Sequence, residues 1–503
     1  MEKTTNNNRL VALYFILIIT TVIGFLLYFF QHSFSVEVFQ RAILYIILLN
    51  TLLFFSIRIL KYGEVRWLSI STIFIIGYFV VFYQIFLLDL FGFELIDVYY
   101  RFVWINPTIM HKSFGVASIG LLAFYLGTSS LNLRHPKDII KSKTSISSNS
   151  IFVVLVLAYI FYILFFIFAG SYRYGVYYAE DASPLATYLY KLFIVCLSAA
   201  IIIKVSYITS FKKEKMSFVE YLKYFGFPLL FLVIWHMIFS TYVGDRGPII
   251  SFSLLTFSLY FIRWKKINLF RIIIAVFIIA FLLTFIGKIR SYQSSGMDYG
   301  RRLSEVVSEY SDDDSIDFKF GVKIPMKESV ELALSVQSLN YSLYNVPDNY
   351  NYRYGLYQMN YIFSIIPGLK GITNSLLYDG SVKYTSSSSF ITYLIQGDNP
   401  SYGNGTSIVA DFYLDFGVIG VVAGLFLLGL FIGMNEQRLW EDYQKPNLVW
   451  IAILVLLSKA IYLNRSCIGL EFSDIVLIFI FIKLNTTLVT YSKKIKLLKN
   501  PTD

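Results

Sequence analysis

The chain has 503 residues and a formal charge of +11, yet 56% of its residues are apolar and only 15% are charged, too few to cover a water-facing surface. The Lys and Arg excess falls in short clusters between apolar runs, which is the positive-inside pattern and removes nucleic acid as the reason for the charge. Two cysteines, Cys196 and Cys467, without any Cys/His spacing argue against a disulfide framework and against zinc.

A membrane-spanning helix needs roughly 20 mainly apolar residues. Runs of that kind predict helices at 10–30, 42–60, 67–89, 114–133, 151–169, 185–208, 223–242, 248–263, 269–287, 416–434, 448–464 and 473–490. The first is too long for a signal-peptide core and has no small-residue cleavage site, so it reads as a membrane helix. Alternate loops carry the cations: Arg58, Lys61 and Arg66, then Arg134 to Lys143, Lys212 to Lys215, Arg263 to Arg271, and the tail Lys493 to Lys499. The opposite short loops hold isolated ones only, among them Arg41, Arg173 and Arg246. The expected fold is an all-α polytopic membrane protein with about twelve transmembrane helices, N-in and C-in. It divides into a membrane bundle over 1–287, a large extracytoplasmic loop over 288–415, and a bundle with a basic cytoplasmic tail over 416–503.

A loop of that length is usually functional or disordered, and its composition is not that of a disordered chain. Apolar residues at helical spacing between Lys327 and Leu343 predict a short amphipathic helix, and Arg301 to Tyr310 predicts another. Ser311 to Asp317 reads as a solvated acidic turn. There is no internal repeat of the kind that marks many transporters.

External arginines are scarce, which singles out the few present. Arg246 lies in Val243-Gly-Asp-Arg-Gly-Pro248, where glycines admit a close ligand and a guanidinium can fork onto phosphate. The bland reading pairs Arg246 with Asp245 or with lipid headgroups. Arg290, Arg173 and Arg353 lie on the same predicted side, as do Arg301 and Arg302, and together they suit a diphosphate, the alternative being lipid headgroups, which fits Arg301 and Arg302 best. Tyr352 and Tyr354, in Asn349-Tyr-Asn-Tyr-Arg-Tyr-Gly355, suit stacking on sugar rings, or else belong to an interfacial aromatic belt. Asp411 and Asp415, four residues apart, share a helix face; one of them near the bilayer suits a general base for a sugar hydroxyl, the alternative being a charge at a helix N-terminus. Asp411 is the stronger candidate for chemistry. His236 and Lys191 fall inside apolar runs, and His236 reads as a structural group. Gly417, Gly420, Gly424, Gly429 and Gly433 read as a close-packing helix face.

Three segments resemble the Wzy-type oligosaccharide repeat-unit polymerases of bacterial O-antigen and capsule assembly. The first is Tyr402-Gly-Asn-Gly-Thr-Ser-Ile-Val-Ala-Asp-Phe-Tyr-Leu-Asp-Phe-Gly-Val-Ile-Gly420 leading into a helix; the second is Tyr352-Arg-Tyr-Gly-Leu-Tyr357 to Ile365-Ile-Pro-Gly368; the third is Asp245-Arg-Gly-Pro248. Two departures stand out: Asp411 where relatives often have Glu, and Gly368-Leu-Lys370 where a Trp-Pro-x-Lys-Pro-like run is expected. The resemblance implies a metal-independent membrane glycosyltransferase without cofactor, in the bacterial plasma membrane, acting on undecaprenyl-diphosphate-linked oligosaccharides. Arg246 and Arg290 would then meet the diphosphate, Arg173 and Arg353 the diphosphate or the sugar, with Tyr352, Tyr354 and Asp245 lining the substrate. Asp411 would be the base or would orient the acceptor. Membrane lipids, a chain-length regulator and a flippase are the implied partners. A lipid-linked oligosaccharide flippase, a polysaccharide ligase and a small-solute transporter are the competing readings.

Overall fold

The computed structural model describes residues 2–90, 107–130, 151–176, 182–209, 215–265, 299–309, 332–366, 369–377, 381–400, 402–440 and 446–499, with single positions between 268 and 324. Most of the ninth predicted helix, most of the acidic turn at 311–317, and Arg290 lie outside the described residues. Where described, the chain is helical apart from a two-residue antiparallel pairing of Ile316–Asp317 with Lys323–Ile324. Among the described residues six helices are long and apolar enough to cross a membrane: Asn8–Phe29, Val36–Tyr62, Thr108–Ser129, Pro184–Thr209, Ile408–Leu439 and Ile468–Ser492. The protein is a multi-pass membrane protein. Internal packing divides the chain into one unit over 1–139, 315–437 and 460–471 and a second over 140–314, 438–459 and 472–503.

In the first unit Glu2–Phe29, Val36–Tyr62 and Pro107–Ser130 pack on one another. Polar side chains inside this group are matched: Asn50 Oδ1 accepts from Thr20 Oγ1 at 3.0 Å and from Thr21 Oγ1 at 3.3 Å. The predicted helix at 67–89 is two pieces, Ile70–Phe82 and Gln84–Leu90. At the break the buried Tyr83 hydroxyl meets Ser118 Oγ at 3.2 Å. Pro107–Ser130 also lies against Ile408–Asn435 along a seam of glycines. A Cβ on Gly127 would lie 2.2 Å from the Phe426 carbonyl oxygen, one on Gly429 2.5 Å from that of Phe124, and one on Gly433 2.4 Å from that of Thr128. Such approach is open only to glycine, and dispersion between bare backbones replaces the hydrophobic effect that lipid cannot supply. The matched positions rise together along both helices, so these two run parallel.

Arg58 is 4% exposed and paired with Glu436, itself 1% exposed. Ser71 completes the Glu436 carboxylate, its N–H at 3.0 Å and its hydroxyl at 2.8 Å from Oε2. The positive-inside reading counted Arg58 among loop cations; its charge is instead consumed inside the unit.

In the second unit Phe152–Phe168 packs along Pro184–Thr209, and Arg246–Arg263 packs on Phe227–Val243 and Leu448–Lys459. Trp450 Nε1 donates to Ser206 Oγ at 2.9 Å. His236 is fully buried, its ring edge-on to Tyr162, Phe193 and Phe252 and its Nε2 3.5 Å from the Tyr190 hydroxyl. Lys191 donates to Ser473 Oγ at 3.1 Å and lies 3.6 Å from the Asp474 carboxylate. The short helix predicted near Arg301 is present as Tyr299–Glu309; the one predicted from Lys327 is described as Val336–Asn345.

Candidate functional site

The run Ser407-Ile-Val-Ala-Asp-Phe-Tyr-Leu-Asp-Phe-Gly417 begins with a capping serine whose Oγ accepts from Ala410 N–H at 3.3 Å. Helical geometry then fails at Phe416 (φ −138°, ψ 17°) and Gly417 (φ 64°, ψ −151°), the latter a conformation essentially confined to glycine. The 28-residue run is therefore two helices, a two-turn piece over 408–415 and a long one from 417, which is where the sequence placed the start of the span. The short piece folds back on the long one. A Cβ on Gly420 would lie 2.4 Å from the Phe412 carbonyl oxygen, and one on Gly424 2.7 Å from the Phe412 ring. In a straight helix positions 412 and 424 would stand ~18 Å apart.

The turn Tyr352-Arg-Tyr-Gly355 closes the end of the short helix. Its last carbonyls, orphaned by the kink, accept from Arg353 N–H (Leu414 O, 3.0 Å) and Tyr354 N–H (Asp415 O, 2.9 Å). Gly355 N–H donates to Asp415 Oδ1 at 3.1 Å. This geometry forces Tyr354 to φ 49° and Gly355 to φ 88°, left-handed values that tyrosine rarely takes. Tyr352 lies against Gly417, where a Cβ would be 3.0 Å from its ring. The Arg353 guanidinium sits 4.8 Å from the Tyr384 ring centroid.

Asp411 is 0% exposed. Its Oδ1 accepts from Ser387 Oγ at 2.5 Å and its Oδ2 from Gln358 Nε2 at 2.6 Å, and the Ile468 N–H also reaches it. One carboxylate thus ties the kinked helix to Leu356–Phe363, to Ser387–Gln396 and to the start of Ile468–Lys499. Gly469 makes room for this, since a Cβ there would meet Gln358 Oε1 at 2.9 Å and Tyr361 at 2.7 Å. Around it, burial pushes the Tyr357 phenol well up, with nearby Asp415 and Asp411 adding to the rise, and burial does the same to Tyr361 and to the Cys467 thiol. All three stay protonated at neutral pH and can serve as donors.

Of the residues singled out from the sequence, the first unit brings together Asp411, Tyr352, Arg353 and Tyr354, with Asp415 beside them. Asp245, Arg246 and Arg173 belong to the second unit. There Asp245 caps Arg246–Arg263, its Oδ1 accepting from Gly247 N–H at 3.1 Å. Tyr242 Oη donates to the Tyr174 carbonyl at 2.8 Å, so the turns that bear Arg246 and Arg173 adjoin. Arg173 is exposed and lies over the Tyr174 ring, while Arg246 is half-buried. Gln358 and Ser387 escaped the sequence reading. The available signal was a pair of amides, Gln358 and Asn360, in the otherwise apolar and aromatic octapeptide Leu356–Phe363; Ser387, inside a run of serines, gave none. Among the described residues no His, Cys, Asp and Glu side chains group as a metal-ligand set.

The chain matches the family of the O-antigen polysaccharide polymerase Wzy over residues 12–495. No curated protein and no solved structure matches it. The family match runs nearly from end to end and takes in the kinked helix, its carboxylates and both arginine-bearing turns, so the chain belongs to the Wzy family of O-antigen polysaccharide polymerases.

Proposed function

We propose that the protein polymerises undecaprenyl-diphosphate-linked oligosaccharide repeat units on the outer face of the bacterial plasma membrane. The growing chain leaves its lipid carrier and joins the incoming unit. The observation that carries this reading is the pair of buried carboxylates, Asp411 and Asp415, clamped by a turn that presents Arg353 and two tyrosines. Glycosyl transfer needs a proton acceptor for the sugar hydroxyl and fixed cations for the charge that develops on the leaving diphosphate. Asp411 serves the acceptor half, as base or as the group that orients it. Arg246, Arg290, Arg173 and Arg353 serve the diphosphate or its sugar, and Tyr352 and Tyr354 offer stacking faces.

The parallel course of Pro107–Ser130 and the span from Gly417 supports the proposed parity of crossings between them. Two parallel spans require an odd number of crossings between them, which the ninth predicted helix, 269–287, completes. About twelve spans, both termini inside and residues 288–415 outside are consistent with that parity.

The test is elongation by membranes of a deletion strain carrying the protein and supplied with lipid-linked repeat units. Longer lipid-linked ladders are expected. Transport of unmodified units would make it a flippase, and transfer to another acceptor a ligase. Arg246→Ala should insert normally and stop chain growth; full-length polymer from that variant removes Arg246 from the mechanism.

A further inference from the structure

Beside the buried carboxylates the first unit gathers three tyrosines that are only partly covered. Tyr350, Tyr384 and Tyr393 are half-buried and surround the buried Phe390, their ring centroids 5.3, 5.7 and 6.4 Å from its own. The Tyr350 and Tyr393 hydroxyls meet at 3.3 Å. Two cations brace the group. Lys383 Nζ lies 4.2 Å from the Tyr393 centroid and 5.4 Å from that of Tyr384, and the Arg353 guanidinium stands 4.8 Å from Tyr384. Asp398, 3.6 Å from Lys383, balances part of the charge. An interfacial belt spreads its aromatics around a bundle at one level, whereas these converge on one buried ring. Rings held side by side in this way offer apolar faces together with hydroxyls that both donate and accept. A sugar presents the complement, apolar C–H faces with a rim of hydroxyls.

We propose that Tyr350, Tyr384 and Tyr393 form a saccharide-binding platform that holds a sugar of the oligosaccharide beyond the one that reacts. This rests on the reading that the protein elongates lipid-linked oligosaccharides near the kink. One helix connects the two places. Ser387, in the first turn of Ser387–Gln396, donates to Asp411, and Tyr393 follows on the same helix ~9 Å along its axis, which leaves room for the reacting sugar between them. Arg353 makes the second connection. Its N–H caps the short helix at Leu414 O, and its guanidinium faces the Tyr384 and Tyr357 rings. That placement gives Arg353 to the sugar and leaves the diphosphate to the other arginines.

The experiment uses the full-length protein and the oligosaccharide repeat unit of its host, cut from its lipid by mild acid. Hydroxyl-radical footprinting of the unaltered protein in detergent should show Tyr384 and Tyr393 oxidised about threefold more slowly, or slower still, once the repeat unit is added at saturation. In membranes supplied with lipid-linked units, Tyr384→Ala and Tyr393→Ala should each raise KM for those units about tenfold, with kcat within about twofold and the melting midpoint unchanged. Tyr393→Phe keeps the ring and should stay within about threefold of the parent. No protection at either tyrosine, or the parent's KM in both alanine variants, overturns the platform, while ladders made by the parent keep the polymerase reading in place. A parent that makes no ladders removes that reading instead, and the footprint, which needs no variant, still decides whether the rings bind sugar.

Discussion

Arg58 and Glu436 show how far a charge's position in the chain is from its role. Both are nearly unexposed, and the pair is completed by Ser69 and Ser71. Removing one partner strands the other. Glu436→Ala should cost ~3–5 kcal/mol, seen as a lower unfolding midpoint in detergent, whereas the double change Arg58→Met with Glu436→Leu should recover most of it. At the Asp411 cluster the same logic is milder. Gln358→Leu deprives a buried carboxylate oxygen of its side-chain donor and should cost about 1–3 kcal/mol, read in the same melt. The pairing of Arg58 with Glu436 carries no signal in sequence, because an ion pair separated by 378 positions is a property of packing.

The kinked helix is the element on which the site depends. Its apolar content predicts a membrane span from 416; the apolar helix runs over Ile408–Leu439 and its geometry breaks at Phe416 and Gly417. The two turns before it obey the same helical periodicity, so their reversal shows only in Gly417 and in the glycines that admit Phe412. Gly417→Ala places a Cβ at φ 64°, 3.0 Å from the Tyr352 ring, and should cost ~1–3 kcal/mol and most of the elongation activity, measured by melting and by ladder length. Gly127→Ala pushes a methyl from Pro107–Ser130 against the Phe426 carbonyl across the seam, and ~1–3 kcal/mol of lost stability is expected there without direct injury to the site. If Gly127→Ala melts like the parent, the seam is looser than its glycines indicate. The sequence reading of Gly429 and Gly433 as a packing face is met by their approach to Phe124 and Thr128; Gly420 and Gly424 admit Phe412 of the short piece over 408–415 instead.

For the whole molecule the decisive quantity is sidedness. Cysteine at position 398, whose native Asp is highly exposed in the segment proposed to be external, should react in spheroplasts with a thiol reagent that cannot cross membranes. Cysteine in place of the exposed Lys223 should react only after permeabilisation. Native Cys196 and Cys467 are buried and make a quiet background. The opposite labelling pattern would place 288–415 on the cytosolic side and end the proposed chemistry.

Hydropathy alone determined that the chain crosses a membrane many times, and three short motifs alone pointed to its family, because apolar run length and local turn residues are written contiguously. Tertiary structure alone decided which charges are spent on structure and which donors hold the two buried carboxylates. Those outcomes depend on donors that arrive from distant segments, Ser387, Gln358 and Ile468 at Asp411 and Gly355 at Asp415. A hydrogen bond is satisfied by proximity in space, and no spacing along the chain encodes it.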